Sequence, residues 1–134
     1  MNNFSIVIPA YNEYQNIIPL LDEISQNLDF QKYRYEVIVV DDCSKDKTYE
    51  SILKCKLIKD LKVIRNTKQM GQSFSIKNGI LNSKYNVIVT LDGDGQNNPK
   101  DIPTLLKNFY KHNVHLVGGI RYKRKDKLIK ILSS

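Results

Sequence analysis

Two carboxylates separated by a single residue, Asp92 and Asp94, lie in the stretch Asn86 to Pro103, NVIVTLDGDGQNNPKDIP, with Gly93 between them and Gly95 and Gln96 behind. Glycine lets the backbone bend sharply, so several oxygen donors gather on one short turn. Carboxylate and amide oxygens are hard donors suited to Mg2+ or Mn2+, ions that keep several waters and take further ligands from a substrate diphosphate. Two other loop chemistries fail on the letters. A helix-flanked calcium loop starting at Asp92 needs glycine at its sixth position and glutamate at its twelfth, where this chain has Asn97 and Pro103. A dinucleotide fingerprint starting at Gly93 needs a further glycine at Asn98, and it belongs in the first strand-to-helix turn, which carries no glycine here. A solvated acidic turn remains the plain alternative, and the elements around the loop decide between the two.

Those elements are readable as apolar patterns. Val87, Ile88 and Val89, with Leu91 beyond, form a run too short for a helix and without polar alternation, as in a strand buried on both faces. Phe4 to Ala10, Tyr35 to Val40, Leu61 to Ile64 and His115 to Gly119 read as four more strands. Between them, Asn16 to Leu28 keeps helical spacing, with Pro19 tolerated close to its start. A second helix carries Tyr49, Ile52 and Leu53, capped by Asp46 or Thr48. A third places Gly71, Ser75 and Gly79 on one small-residue stripe that permits close packing, and a fourth runs from about Lys100 through Phe109. Leu128 to Leu132 reads as the beginning of a further helix. The alternation predicts an α/β, Rossmann-like, mostly parallel sheet with helices on both faces.

Polar groups recur where the strands end: Tyr11, Asn12 and Glu13 after the first, Asp41 and Asp42 after the second, Asp92, Asp94 and Gln96 after the fourth, and Arg121 after the fifth. Parallel strands bring these exits to one edge, the edge at which open α/β sheets bind ligands. A single crevice there would hold carboxylates for a base and ribose, a metal site and an arginine for phosphate. A phospho-accepting receiver domain does not fit. It wants its acidic pair after strand one, the accepting aspartate after strand three and a lysine after strand five.

The 134 residues suit one domain with its own core, and 41% hydrophobic and 26% charged residues are ordinary for a soluble protein. No apolar run approaches the ~20 residues of a membrane span, and the N-terminus lacks a signal-peptide pattern, so the expected location is the cytoplasm. Cys43 and Cys55 read as reduced thiols, and His112 and His115 as structural. Arg121 to Lys130 holds six of the 21 basic residues against the single acid Asp126, a local charge of +5 within the total of +7. Such a run attracts anionic headgroups at roughly 1 kcal/mol per basic residue, or remains a solvated tail. No basic stripe elsewhere and no aromatic platform suggests nucleic acid.

The segments SIVIPAYNE (Ser5 to Glu13), VIVVDDCSKDKT (Val37 to Thr48), GQSFSIKNGI (Gly71 to Ile80), LDGDGQNNPKDIP (Leu91 to Pro103) and GGIRYKRKD (Gly118 to Asp126) closely resemble, in order, the family 2 glycosyltransferases of the GT-A fold. Within that family they resemble the polyprenyl-phosphate, dolichol-phosphate mannosyltransferase-like branch. The resemblance implies that Pro9, Tyr11, Glu13 and Asp42, with backbone at Val40, hold the nucleoside of a nucleotide diphospho-sugar. It implies that Asp92 and Asp94 are the acidic metal motif, with Gln96 a further ligand, and that Arg121 lies near the diphosphate or the acceptor phosphate. Asp94 and Arg121 are the expected catalytic residues. The family is inverting, and the implied acceptor is a polyprenyl phosphate or a glycan of the cell envelope, reached at the inner face of the cytoplasmic membrane through Arg121 to Lys130. Ser75 departs from the pattern, standing where relatives commonly carry alanine. Relatives also continue past the fifth strand. Residues 1–120 are therefore expected to be the nucleotide-sugar-binding domain and 121–134 the start of an acceptor or membrane-interface part, completed by an oligomer contact or a second subunit. A non-catalytic nucleotide-sugar-binding module on the same fold is the alternative.

Overall fold

The computed structural model describes residues 2–94, 98–112, 116–118 and 130–133. In chain order these form β1 (Asn2–Ala10), α1 (Ile17–Asn27), β2 (Tyr33–Asp41), α2 (Thr48–Leu53), β3 (Leu61–Arg65), α3 (Gln72–Leu81), β4 (Val87–Thr90), a 3-10 turn (Pro99–Asp101), α4 (Ile102–His112), β5 (Leu116–Gly118) and β6 (Lys130–Ser133). They build one sheet in the order β3-β2-β1-β4-β6-β5. Strands β1 to β4 are parallel, and β6 runs antiparallel between β4 and β5.

The strands that read as continuous β-branched runs occupy the middle of the sheet, where both faces are covered. Phe4, Ile6 and Ile8 on β1 and Val37 and Val39 on β2 face a core closed by Ile17, Leu20, Leu21 and Ile24 of α1, Ile52 of α2 and Ile102, Leu106 and Phe109 of α4. Helix α3 covers the opposite face. A Cβ added at Gly79 would stand 2.4 Å from Val7 Cγ1 and 3.1 Å from Val40 Cγ2, so the absence of a side chain there sets how closely α3 lies on the sheet. Pro19 is the third residue of α1, in the first turn, where its missing N–H costs no helical hydrogen bond.

Residues 130–133 correct one expectation. The run Leu128 to Leu132 does not begin a helix across its described part: Lys130–Ser133 is a strand paired residue by residue with Thr90 through Val87. A short apolar run is compatible with either state, and the open hydrogen-bonding edge of β4 selects the strand. The same pairing settles the direction of β5. Gly118 aligns with Lys130 and Lys130 with Thr90, so β5 ends at the edge where β4 ends. Expected and observed strands otherwise agree to within two residues for β1 to β4.

Candidate functional site

The exits of β1 and β2 are stitched together before they present anything to a ligand. Asn12 and Cys43 both adopt left-handed backbone, with φ of 53° and 61°. The Asn12 N–H donates to Ser44 Oγ at 2.9 Å, and the Lys45 N–H returns to Asn12 Oδ1 at 2.9 Å. The Glu13 N–H donates to Thr48 Oγ1 at 2.9 Å. Asp46 accepts from the Thr48 N–H at 2.9 Å and from the Tyr14 N–H at 3.3 Å, but the N-cap of α2 is Lys47, which makes no side-chain cap bond, so neither Asp46 nor Thr48 is the N-cap residue. Burial works to raise the Asp46 carboxyl, but the Thr48 hydroxyl, which donates to Asp46 Oδ1, together with these N–H donors outweighs it and holds the group below its ordinary range. Behind them the fully buried Asp41 accepts from the Ser44 N–H at 3.1 Å and pairs with Arg65 Nε at 3.3 Å, while the Arg65 guanidinium lies 4.8 Å from the Tyr49 ring centroid. Tyr11 and Glu13 thus stand on a fixed double turn.

Asp42 does something its sequence position does not announce. Its carboxylate accepts from the Met70 N–H (2.7 Å) and Asn66 Nδ2 (2.8 Å) on Oδ1 and from the Gly71 N–H (2.9 Å) on Oδ2. Burial alone would push the group up, yet these three donors keep it below the usual carboxylate range. Asn66, itself buried, also donates to Ser75 Oγ at 2.9 Å and accepts from Asn78 Nδ2 at 3.1 Å. Ser75 donates in turn to the Gly71 carbonyl at 2.9 Å. The Ser75 hydroxyl on α3 is therefore hydrogen-bonded as both acceptor and donor, and the helix packs closely in spite of it. Asp42 ties the loop between β3 and α3 to the end of β2. Gly71, with φ of 96°, then turns the chain into α3.

The acidic loop meets this assembly from the β4 side. A Cβ at Gly93 would stand 2.9 Å from the Pro9 carbonyl oxygen and 3.3 Å from Ala10 Cβ, so glycine lets the loop lie against the end of β1. Gln72 Nε2 donates to Asp92 Oδ1 at 2.9 Å. The result is an open cleft of about 310 Å³ lined by Pro9, Tyr11, Glu13 and Asp42 on one side and by Asp92 and Asp94 on the other, with Gln69, Gly71, Gln72 and Ser75 between. Its size is at the lower end of ligand-binding clefts, roughly 300–1,000 Å³. Six of the expected site residues therefore share one cleft. Val40 does not line it: the residue is fully buried between Pro9 of β1 and Ile64 of β3. Gln96 and Arg121 lie outside the described residues. Gln69, Gln72 and Asn66 are absent from the expected set because isolated amides form no motif. Their signal is position alone, at the exit of the third strand, which a parallel sheet brings to the same edge as the others.

As a metal site the loop has suitable chemistry. Asp92 and Asp94 are partly exposed carboxylates at the cleft wall, and among the described residues no group of three or more His, Cys, Asp or Glu side chains could hold an ion. Two carboxylates suit an ion that completes its shell with water and substrate phosphate better than one caged by protein.

The profile of glycosyl transferase family 2 matches residues 5–131. The chain belongs to this family. Among curated relatives of this family 2 chain, a dodecaprenyl-phosphate galacturonate synthase of Rhizobium johnstonii is 33% identical over 126 residues, covering 92% of the chain and 37% of the relative. A dolichol-phosphate mannosyltransferase of Pyrococcus furiosus is 36% identical over 124 residues, covering 92% and 34%. The chain thus spans little more than a third of the length of these two. Among solved structures, the mannosyltransferase PcManGT of Pyrobaculum calidifontis, in complex with GDP-Man and Mn2+, superposes with a TM-score of 0.80 at 19% identity, over 96% of this chain and 44% of that one. Glucosyl-3-phosphoglycerate synthase of Mycobacterium tuberculosis, with Mn2+ and UDP, gives 0.72 at 20% identity over 90% and 44%. The family 2 chain accordingly has the GT-A fold.

Proposed function

We propose that this chain is the donor-binding domain of an inverting, metal-dependent glycosyltransferase that moves a sugar from a GDP- or UDP-sugar to a polyprenyl phosphate. The observation that carries the reading is the meeting of Asp92 and Asp94 with Tyr11, Glu13 and Asp42 in one cleft at the carboxyl edge of the sheet. Pro9, Tyr11 and Glu13 form the nucleoside wall, and Asp42 shapes that wall by fixing the loop at Met70 and Gly71. Asp92 and Asp94 are the residues that would hold Mg2+ or Mn2+, with Gln96 as a further ligand. When bound, the ion supplies neutralising charge for the diphosphate leaving group. Arg121 is assigned to the diphosphate or the acceptor phosphate, where a guanidinium matches phosphate geometry.

A phosphate acceptor is already an anion at neutral pH, so the chain needs no carboxylate base to deprotonate it. The names of the curated relatives support this acceptor class, since they include dodecaprenyl-phosphate, dolichol-phosphate and undecaprenyl-phosphate sugar transferases. The basic run Arg121 to Lys130 suits a site at the inner face of the cytoplasmic membrane, and no described helix is long and apolar enough to cross one. Acceptor recognition is assigned largely to elements beyond this chain, in a longer polypeptide, another copy or a second subunit.

Calorimetry with GDP- and UDP-sugars, with Mn2+ and with EDTA, tests the donor half. Binding is expected only with the metal and is expected to disappear in Asp94→Asn. Transfer to a short polyprenyl phosphate tests the other half. Metal-dependent binding without transfer by any reconstituted complex favours a non-catalytic nucleotide-sugar-binding module instead.

A further inference from the structure

We infer that Gln72 is a positioning residue for Asp92, holding that carboxylate in the orientation from which it takes a divalent cation. The inference rests on the proposed role of Asp92 at the metal and adds a residue on another element that makes the role possible.

Gln72 is the first residue of α3, and its backbone stands on a fixed post. The preceding Gly71 has its N–H bound by Asp42 Oδ2 at 2.9 Å, and its carbonyl accepts from both the Ser75 N–H (3.1 Å) and Ser75 Oγ (2.9 Å). Ser75 is in turn held by the buried Asn66. From this post the Gln72 amide reaches across the cleft wall to Asp92 Oδ1 at 2.9 Å. Asp92 is anchored from the other side, because the adjacent Gly93 lies against the Pro9 carbonyl. Each end of the hydrogen bond is thus fixed by backbone packing, which limits the side-chain freedom lost in making it.

The chemistry of the donor matters as much as its place. A carboxylate has about four lone-pair sites, so an amide bond orients Asp92 without using all of its acceptor capacity. A neutral amide does this without cancelling the charge that attracts the cation, as lysine or arginine at the same position would. Partners of this kind orient metal ligands, and their loss typically weakens metal binding about 10- to 100-fold. The Gln72 to Asp92 bond is exposed to solvent, so the lower end of that range applies.

The test is a Mn2+ titration followed by electron paramagnetic resonance, using the full chain with saturating GDP or UDP. Gln72→Met keeps the length of the side chain and removes the donor; Gln72→Ala removes both. Both variants are expected to bind Mn2+ about tenfold more weakly, with an unchanged melting temperature. Mn2+ affinity within twofold of wild type in Gln72→Met overturns the inference. So does a loss accompanied by a lowered melting temperature, which marks Gln72 as merely structural. If wild type and Asp92→Asn take up Mn2+ alike, the metal reading of Asp92 itself falls and takes the inference with it.

Discussion

A buried carboxylate that accepts two backbone N–H groups and an amide acts as a fastening, and Asp42 is such a group. Its oxygens are committed to Met70, Gly71 and Asn66, so it shapes the cleft through the loop it holds. Asn66→Ala withdraws a donor from Asp42 and from Ser75 together, both buried, and is expected to cost about 1–3 kcal/mol in urea unfolding at pH 7. The pH dependence has a definite sign. The folded-state pKa of Asp42 lies below its unfolded value, as does that of Asp46. The stability they contribute is therefore present above the unfolded value of about 3.9 and is lost as pH falls through the lowered folded value. Urea midpoints measured from pH 7 down to pH 3 should drop most steeply below about pH 4. Asp42→Asn, less stable at pH 7 because its amide opposes backbone donors, should show a shallower drop. An unchanged slope would remove Asp42 from the acid transition.

At the scale of elements, close approach replaces hydrogen bonding as the controlling term. The Gly79 backbone is in contact with Val7 and Val40, and a methyl group has no room there. Gly79→Ala is expected to cost about 1–3 kcal/mol through overpacking. Combined with Val7→Ala it should cost clearly less than the two single losses added, because the second change removes the atom that is struck. Additive losses would mean that α3 rides over the sheet without that contact. The same scale explains what the sequence discloses. β1, β2 and β4 are legible because a strand covered on both faces needs continuous apolar residues, and Gly93 stands out between two carboxylates. The clamp from Asp42 to residues 66–71 leaves no periodic trace, since it joins side chains and N–H groups from separate parts of the chain. Val40, whose backbone the family pattern assigns to the nucleoside, is buried and is not among the residues lining the cleft. β6 escapes because a short apolar run takes whichever state its neighbour offers.

For the molecule as a whole, β6 is the element on which the far side of the sheet depends. It supplies the pairing that joins β4 to β5, and β4 carries the acidic loop at its end. Without it the hydrogen-bonding edge of Val87–Thr90 would face solvent, which in a parallel sheet leaves a buried, β-branched strand as an exposed template for association. Ile131 is the sharpest point of attack, because it aligns with Val89 on one side and Val117 on the other. Proline there removes a donor from an interior strand, a position at which proline is excluded from sheets. Ile131→Pro in the full chain should raise hydrogen exchange of the Val87–Thr90 amides by about tenfold or more, as expected when even one net hydrogen bond is lost. Amides shared by β1 and β2 should keep their protection, since the pairing from Asn2 to Ala10 with Tyr33 to Asp41 is untouched. Because Asp92 and Asp94 come directly after β4, Mn2+ affinity should fall along with β4 protection. Exchange at β4 that rises while Mn2+ affinity stays level would show that the strand leading into the acidic loop contributes nothing to holding it.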